Sequence, residues 1–320
     1  MTNTRVSVPL VSALALAIAL GLGLGLAPRR AAAAPVEKGQ TFQAPGATIY
    51  VEVLGTGSGV PLVVVNGGPG FDHTYEHIAM PGTTSAWETV AQKRRVVFYD
   101  QRGNGRSGKL KPDQTCTLAD QIADLDAVRE HLGADKIDLL GHSYGGFLVM
   151  AYAARHADHL RHLVIVDSAA PKWTDTTTLF KDVFPEGTAR YDGFTFADAL
   201  GDAAATEAGI REYLSWLFYS PEKRDAYLRQ IGAGVYTKAV NEALDHDVSR
   251  FDLNPELPKL KVPTLVVTGR YDMNVAPSVA YKIHRAIAGS QLVVFEKSGH
   301  LPFYEEPEAF VRALESFLAR

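Results

Sequence analysis

The sequence predicts an α/β protein: a mostly parallel sheet flanked by helices, with one inserted helical cap. Three observations carry this reading. Short apolar runs recur at residues 62–66, 95–99, 137–140, 163–167, 264–268 and 291–295. Helical stretches lie between them, and buried strands alternating with helices imply a parallel sheet covered on both faces. Between residues 171 and 256 the strand runs stop, and Trp173, Phe184, Trp216 and Tyr219 stand in sequence of helical character. The expected organisation is a core over residues 40–170, a helical cap over 171–256, and the core resumed over 257–320.

Residues 1–34 are set apart from this fold. Arg5 precedes a long apolar run, residues 6–26, and Ala31 to Ala34 supply the small residues of a cleavage site. This reads as a secretory signal peptide, so a secreted or periplasmic protein is expected. The run is also long enough to span a bilayer. An uncleaved membrane anchor therefore stays open as the alternative, and the membrane is a partner only in that case.

Composition narrows the function classes. The chain has 320 residues, 46% of them hydrophobic and 21% charged, with a net charge of −4. That balance is globular, and it offers no basic surface for nucleic acid. The single cysteine, Cys116, excludes an intrachain disulfide and a cysteine-based zinc site. It lies in a polar stretch and reads as incidental. No metal or cofactor is expected, and the oligomeric state is open.

The elements follow in order. Residues 48–54 alternate like a strand, and Gly55 to Gly59 form a turn. Residues 62–66 are a continuous apolar strand leading into Gly67-Gly68-Pro69-Gly70. Residues 85–92 read as a helix, and 95–99 as a strand ending in Asp100-Gln101-Arg102-Gly103-Asn104-Gly105. In residues 118–132 the apolar positions Leu118, Ile122, Leu125, Val128 and Leu132 recur at helical spacing, and Gly133 stops the helix. After the insertion, residues 264–268 form a strand ending in Gly269-Arg270-Tyr271-Asp272. A helix follows, then a strand over 291–295 ending in Ser298-Gly299-His300, and a closing helix over 310–318.

The most informative stretch is Lys136 to Phe147. An apolar run is followed by Gly141-His142-Ser143-Tyr144-Gly145 and then by a helix-forming segment, residues 147–155. G-x-S-x-G between a strand and a helix is the context of a nucleophile elbow. The serine occupies a strained turn that exposes its hydroxyl, while the flanking glycines avoid clashes with strand and helix. The alternative is a Gly-rich turn carrying an idle serine.

A serine hydroxyl needs a base, and the base needs an orienting carboxylate. In this architecture they are expected in the order Ser, acid, His, which gives Ser143, Asp272 and His300. Each follows a strand, so all three fall at the carboxyl edge of the sheet. Asp167 also follows a strand and competes with Asp272; it is read instead as the residue that opens the insertion. Two N–H groups are candidates for holding an oxyanion: Tyr144, at a helix N-terminus, and Gly68, whose missing Cβ allows close approach. The alternative is that these glycines only turn the chain before Pro69.

These pieces together resemble an α/β-hydrolase of the proline iminopeptidase family, which includes the tricorn-interacting aminopeptidase and related amino-acid amidases. The resemblance rests on Gly67-Gly68-Pro69-Gly70, Asp100-Gln101-Arg102-Gly103-Asn104-Gly105-Arg106-Ser107, the elbow, Lys261-Val262-Pro263-Thr264-Leu265, Gly269-Arg270-Tyr271-Asp272 and Ser298-Gly299-His300. It implies hydrolysis of an amide or peptide bond through an acyl-serine intermediate, often releasing an N-terminal residue, with no metal. The expected partner is a small-molecule or short-peptide substrate.

The chain departs from the family at several positions. Asn66 stands where members have His, and Tyr144 where many have Trp. Family aminopeptidases hold the substrate amine with carboxylates. The resemblance puts one near Glu242 and another directly after the catalytic acid, where this chain has Met273. Substrate contacts are therefore expected from Glu242 and Met273, with one amine anchor lost; the alternative for Glu242 is the solvated face of a cap helix. That loss keeps an esterase or lactonase open as a second reading. A non-catalytic ligand-binding protein of the same fold is a third.

Overall fold

The computed structural model describes residues 36–232 and 234–320. The leader reading of residues 1–34 lies outside them. Among the described residues no helix is long and apolar enough to cross a membrane.

The chain opens with two strands, β1 (Val36–Ala44) and β2 (Ala47–Leu54), followed by β3 (Leu62–Val65), α1 (Ala86–Ala91), β4 (Val96–Asp100), α2 (Leu118–His131), β5 (Ile137–His142), α3 (Tyr144–His156) and β6 (Leu160–Val166). Five helices come next: α4 (Phe180–Val183), α5 (Pro185–Ala199), α6 (Ala203–Ser215), α7 (Pro221–Leu228) and α8 (Lys238–Val248). The pattern then resumes with β7 (Thr264–Gly269), α9 (Pro277–Ala286), β8 (Gln291–Phe295), α10 (Pro302–Glu305) and α11 (Pro307–Leu318).

The strands form one sheet in the order β1-β2-β4-β3-β5-β6-β7-β8. From β4 to β8 every pairing is parallel, while β1–β2 and β2–β4 are antiparallel. The sequence reading had no strand at β1. Its Lys-Gly-Gln centre carries little apolar signal, and pairing with β2 makes it a strand.

Successive residues of a strand face opposite sides, and the two cores follow from that. Val63 and Val65 of β3 pack with Ile122 and Leu125 of α2, Phe147 and Met150 of α3, and Ile283 of α9. Leu62 and Val64 face the other way, with Trp87 of α1 and Phe310 and Leu314 of α11. Capping residues fix where helices begin. Ser85 and Glu88 form a capping box on α1, and Thr117 and Asp120 do the same on α2.

The insertion contributes to both cores: Ile210 and Leu214 of α6 and Tyr227 of α7 to the α1/α11 side, Val240, Leu244 and Val248 of α8 to the α2/α3 side. The insertion therefore straddles the carboxyl edge of the sheet, the edge at which β3, β5, β7 and β8 deliver the candidate site residues.

Candidate active site

Ser143 directly follows β5 and caps α3, with φ 58° and ψ −120°. A non-glycine residue here is strained by about 1–3 kcal/mol and persists only where its surroundings hold it. They do so through three backbone bonds. The Ser143 N–H donates to the Val166 carbonyl at 2.9 Å, and the Ser143 carbonyl accepts from Gly146 at 3.0 Å and Ala169 at 3.2 Å. A side chain at Gly141 would strike the Gly145 carbonyl, and one at Gly145 would strike the carbonyl of Val65. The turn thus requires glycine on both sides of the serine.

His300 and Asp272 meet beside it. His300 Nδ1 lies 2.7 Å from Asp272 Oδ2. Asp272 Oδ1 accepts the N–H groups of Asn274 at 2.9 Å and Val275 at 2.8 Å. With that carboxylate on Nδ1, the proton belongs on Nδ1 and Nε2 is the basic nitrogen. Nε2 lies 3.0 Å from the Asn274 side-chain amide, which donates to it. No hydrogen bond joins Ser143 Oγ to His300 among the described residues, although both border the same cavity. Burial pushes the His300 imidazole below its ordinary range, while the Asp272 carboxylate on Nδ1 acts in the opposite direction.

The glycine loop is braced from several sides. Asn66 Nδ2 donates to the Phe71 carbonyl at 2.6 Å, and Gln101 Nε2 donates to the Asn66 carbonyl at 2.9 Å. Asp100 accepts from the His73 N–H at 3.1 Å and the Arg106 N–H at 2.7 Å, and its Oδ1 lies 2.6 Å from His73 Nδ1. Buried Arg102 forks onto Asp124 at 2.7 and 2.8 Å. Asp100 and Gln101 are therefore scaffolding for the loop after β3, while Arg102 anchors their own segment to α2. Gly68 in that loop has φ 125°, open to glycine. The N–H of Gly68 and that of Tyr144, the first residue of α3, have no acceptor among the described residues.

Sequence reasoning missed a second chain of contacts. The Gly67 N–H donates to the Tyr75 hydroxyl at 2.7 Å. The hydroxyl lies 2.6 Å from His142 Nδ1, and His142 Nε2 lies 2.8 Å from the His300 carbonyl. One arrangement of protons satisfies all three contacts: Tyr75 donates to Nδ1, and His142 donates from Nε2. The glycine loop and the His300 loop are thereby tied together around Ser143. A lone histidine inside the elbow and a tyrosine beyond the glycine loop carry no pattern that would have singled them out.

The insertion docks on each loop of the site. His300 N–H donates to the Leu217 carbonyl at 2.7 Å, Thr237 N–H to Gly70 at 2.7 Å, and Leu179 N–H to Met273 at 2.8 Å. Between insertion and sheet lies a cavity of about 20 Å³, room for about one water. Phe71, Tyr213, Leu217 and Leu301 line it beside Ser143 and His300.

Glu242 and Met273 do not line that cavity. Glu242 lies on the outer face of α8, where its side chain is 64% exposed and 3.7 Å from Lys238. The i, i+4 spacing puts both on one face of α8, where with Asp198 and Tyr236 they border an open cavity of about 230 Å³ apart from Ser143. The Met273 side chain is half-buried, and its backbone carbonyl is what contacts the insertion. The structure therefore puts neither side chain beside Ser143. Asp167 does not merely open the insertion: its carboxyl lies beside Asp272. Cys116 is buried, and burial pushes its thiol up to about 11, which leaves it unreactive.

Two further groups of His and carboxylate stand apart from Ser143: Glu52 with His73 and His77, and Asp126 with His156 and His159. Each already holds a guanidinium. Arg106 is 3.2 Å from Glu52, and Arg129 is 2.8 Å from Asp126.

Comparison with known proteins agrees with the fold. A sequence profile of the alpha/beta hydrolase fold matches residues 60–307. A proline iminopeptidase of Saccharolobus solfataricus is 32% identical over 286 residues, covering 85% of this chain and 89% of the relative. One from Thermoplasma volcanium is 28% identical, covering 81% and 88%. Among solved structures, an esterase from Exiguobacterium antarcticum superposes with a TM-score of 0.67 at 26% identity, covering 88% of this chain and 100% of that one. A hydrolase of Bacillus anthracis, at 21% identity and a TM-score of 0.71, covers 88% and 100% and shares the fold.

Proposed function

The chain belongs to the α/β-hydrolase fold family, on its proline-iminopeptidase-like branch, and from that premise we propose that it is a serine hydrolase cleaving an amide or peptide bond. The observation that carries the reading is the strained elbow at Ser143 beside the Asp272–His300 pair. In this mechanism Ser143 Oγ attacks the carbonyl carbon and passes its proton to His300 Nε2. The oxyanion takes the N–H groups of Gly68 and Tyr144. His300 then protonates the leaving amine, and the acyl-serine forms. Water, deprotonated by the same nitrogen, releases the acid. Asp272 holds the ring so that Nε2 faces the serine and stabilises the imidazolium.

Two movements precede attack. The Asn274 amide must leave Nε2, and the insertion must draw back, because a cavity of about 20 Å³ admits no amino-acid amide. Apo enzymes commonly hold such contacts loosely and tighten them around substrate.

A second reading, an esterase, is favoured by one observation. The side chains around Ser143 include apolar Phe71, Leu217 and Leu301 and no carboxylate, so a substrate ammonium would be buried without a partner, at high cost. The experiment is a matched panel: a proline amide with a free amine, its N-acetyl form, and a simple ester of the same acyl group. Preference for the free amide supports the iminopeptidase reading. Equal use of the acetylated amide, with the ester fastest, contradicts it and favours the esterase. The leader reading adds that the enzyme works outside the cytoplasm, which N-terminal sequencing of the exported protein checks.

A further inference from the structure

Two buried carboxyls stand together at the carboxyl edge of the sheet, and the mechanism uses only one. Asp167 directly follows β6, with φ 44°. Asp272 lies in the loop after β7. They are 1% and 0% exposed, and their oxygens lie within 4.8 Å of each other and of a His300 ring nitrogen. Their partners are unequal. Asp272 accepts from two backbone N–H groups and from His300. Asp167 Oδ1 accepts the Gly269 N–H at 2.8 Å, while Oδ2 is buried with no partner among the described residues.

Among the described residues neither carboxyl has a Lys or Arg partner; the one ion pair is His300 with Asp272. The other groups facing the pair are neutral: the Thr268 hydroxyl, the Asn274 amide and the Tyr213 hydroxyl. Two carboxyls buried beside each other with no Lys or Arg partner are strongly disfavoured from both ionising. Their proton belongs on the group with fewer donors, and on Asp167 Oδ2 it also satisfies the one orphaned oxygen. Burial, and then the charge of Asp272, push Asp167 well above the ordinary carboxylate range; burial also pushes Asp272 up, to about 8, but its backbone donors and the Asp167 contact act to lower it.

We propose that Asp167 is a positioning residue: it carries the pair's single proton on Oδ2 and donates it to Asp272, holding that carboxylate on His300 Nδ1. The proton stays in place through turnover. As a further donor to Asp272, it spreads the carboxylate's charge and moderates its pull on the imidazole. The kinetic part rests on the serine-hydrolase reading above; the position of the proton does not.

The test is a difference infrared spectrum of the native protein against Asp167→Asn at neutral pH, with pH profiles of kcat/KM. The native protein should show the carbonyl band of a protonated carboxylic acid that the variant lacks. Glu76, another buried carboxyl, cancels in the difference. The Asn amide keeps an N–H donor and should hold kcat within a few-fold of native. Asp167→Leu removes the donor. It should lower kcat about 10- to 100-fold, the range implied by one lost hydrogen bond to a charged group, with little change in KM. It should also move the acid limb upward, because Asp272 then pulls harder on the imidazole. No difference band, or native kinetics in the Leu variant, overturns the proposal. If the Asn variant does not fold, Asp167→Ser, a smaller donor, takes its place. If Ser143→Ala stays active while the difference band behaves as expected, the hydrolase mechanism fails and the proton assignment stands.

Discussion

The Asn274 amide occupies His300 Nε2, the nitrogen to which the proposed mechanism passes the Ser143 proton. A donor on Nε2 favours the unprotonated ring, and burial acts in the same direction. A base is lost as pH falls through its own pKa, so the acid limb of kcat/KM reports a balance: burial and the amide donor lower it, and the Asp272 carboxylate on Nδ1 raises it. Asn274→Ala removes the donor and should shift that limb upward without lowering the plateau. An unmoved limb in a pH profile would mean that the amide does not govern the base.

Tyr75→Phe tests the tie between the two loops. Deleting the hydroxyl leaves the Gly67 N–H and His142 Nδ1 buried without partners. Stability should fall by about 1–3 kcal/mol, read by urea denaturation. kcat should fall with it, because the loop carrying Gly68 loosens. A variant with native stability and kcat would show the chain of contacts to be incidental.

Glu76 is 1% exposed with Oε2 unpaired, and burial pushes its carboxyl up to about 8 from an ordinary 4.5. Its folded pKa lies above its unfolded one. Folding therefore takes up a proton between those values, and stability declines as pH rises from about 4.5 to about 8. The slope is about 1.4 kcal/mol per pH unit for one proton. Glu76→Gln should flatten that part of the pH–stability curve and stabilise the protein above pH 8.

Glu242→Gln should leave kcat/KM on a free-amine amide unchanged, since the residue faces solvent beside Lys238. Exposed pairs of this kind contribute about 0–1 kcal/mol to stability. A selective loss on free-amine substrates would show that the insertion moves Glu242 inward when substrate binds.

The fold was legible because its signals are local. Continuous apolar runs marked β3 to β8, and each site residue stood at the end of such a run. Strand β1 was not, because its only support is pairing with β2. The partners of His300 were hidden for a related reason. Asn274, Tyr75 and His142 matter through contacts between loops that are distant in sequence. Asp167 was visible only as a competitor of Asp272, since no single-position signal says that two acids share one space. Glu242 was placed by distance along the chain, which does not fix which face of a helix meets the site.

Ser143 as nucleophile is the central claim, and covalent labelling tests it most directly. Intact-mass analysis and peptide mapping after treatment with a fluorophosphonate should find one adduct, on Ser143, formed with loss of activity. The Asp272→Asn protein should label far more slowly, in line with a drop in kcat of about three to four orders of magnitude. Labelling at another residue, or full activity in Ser143→Ala, would contradict the account.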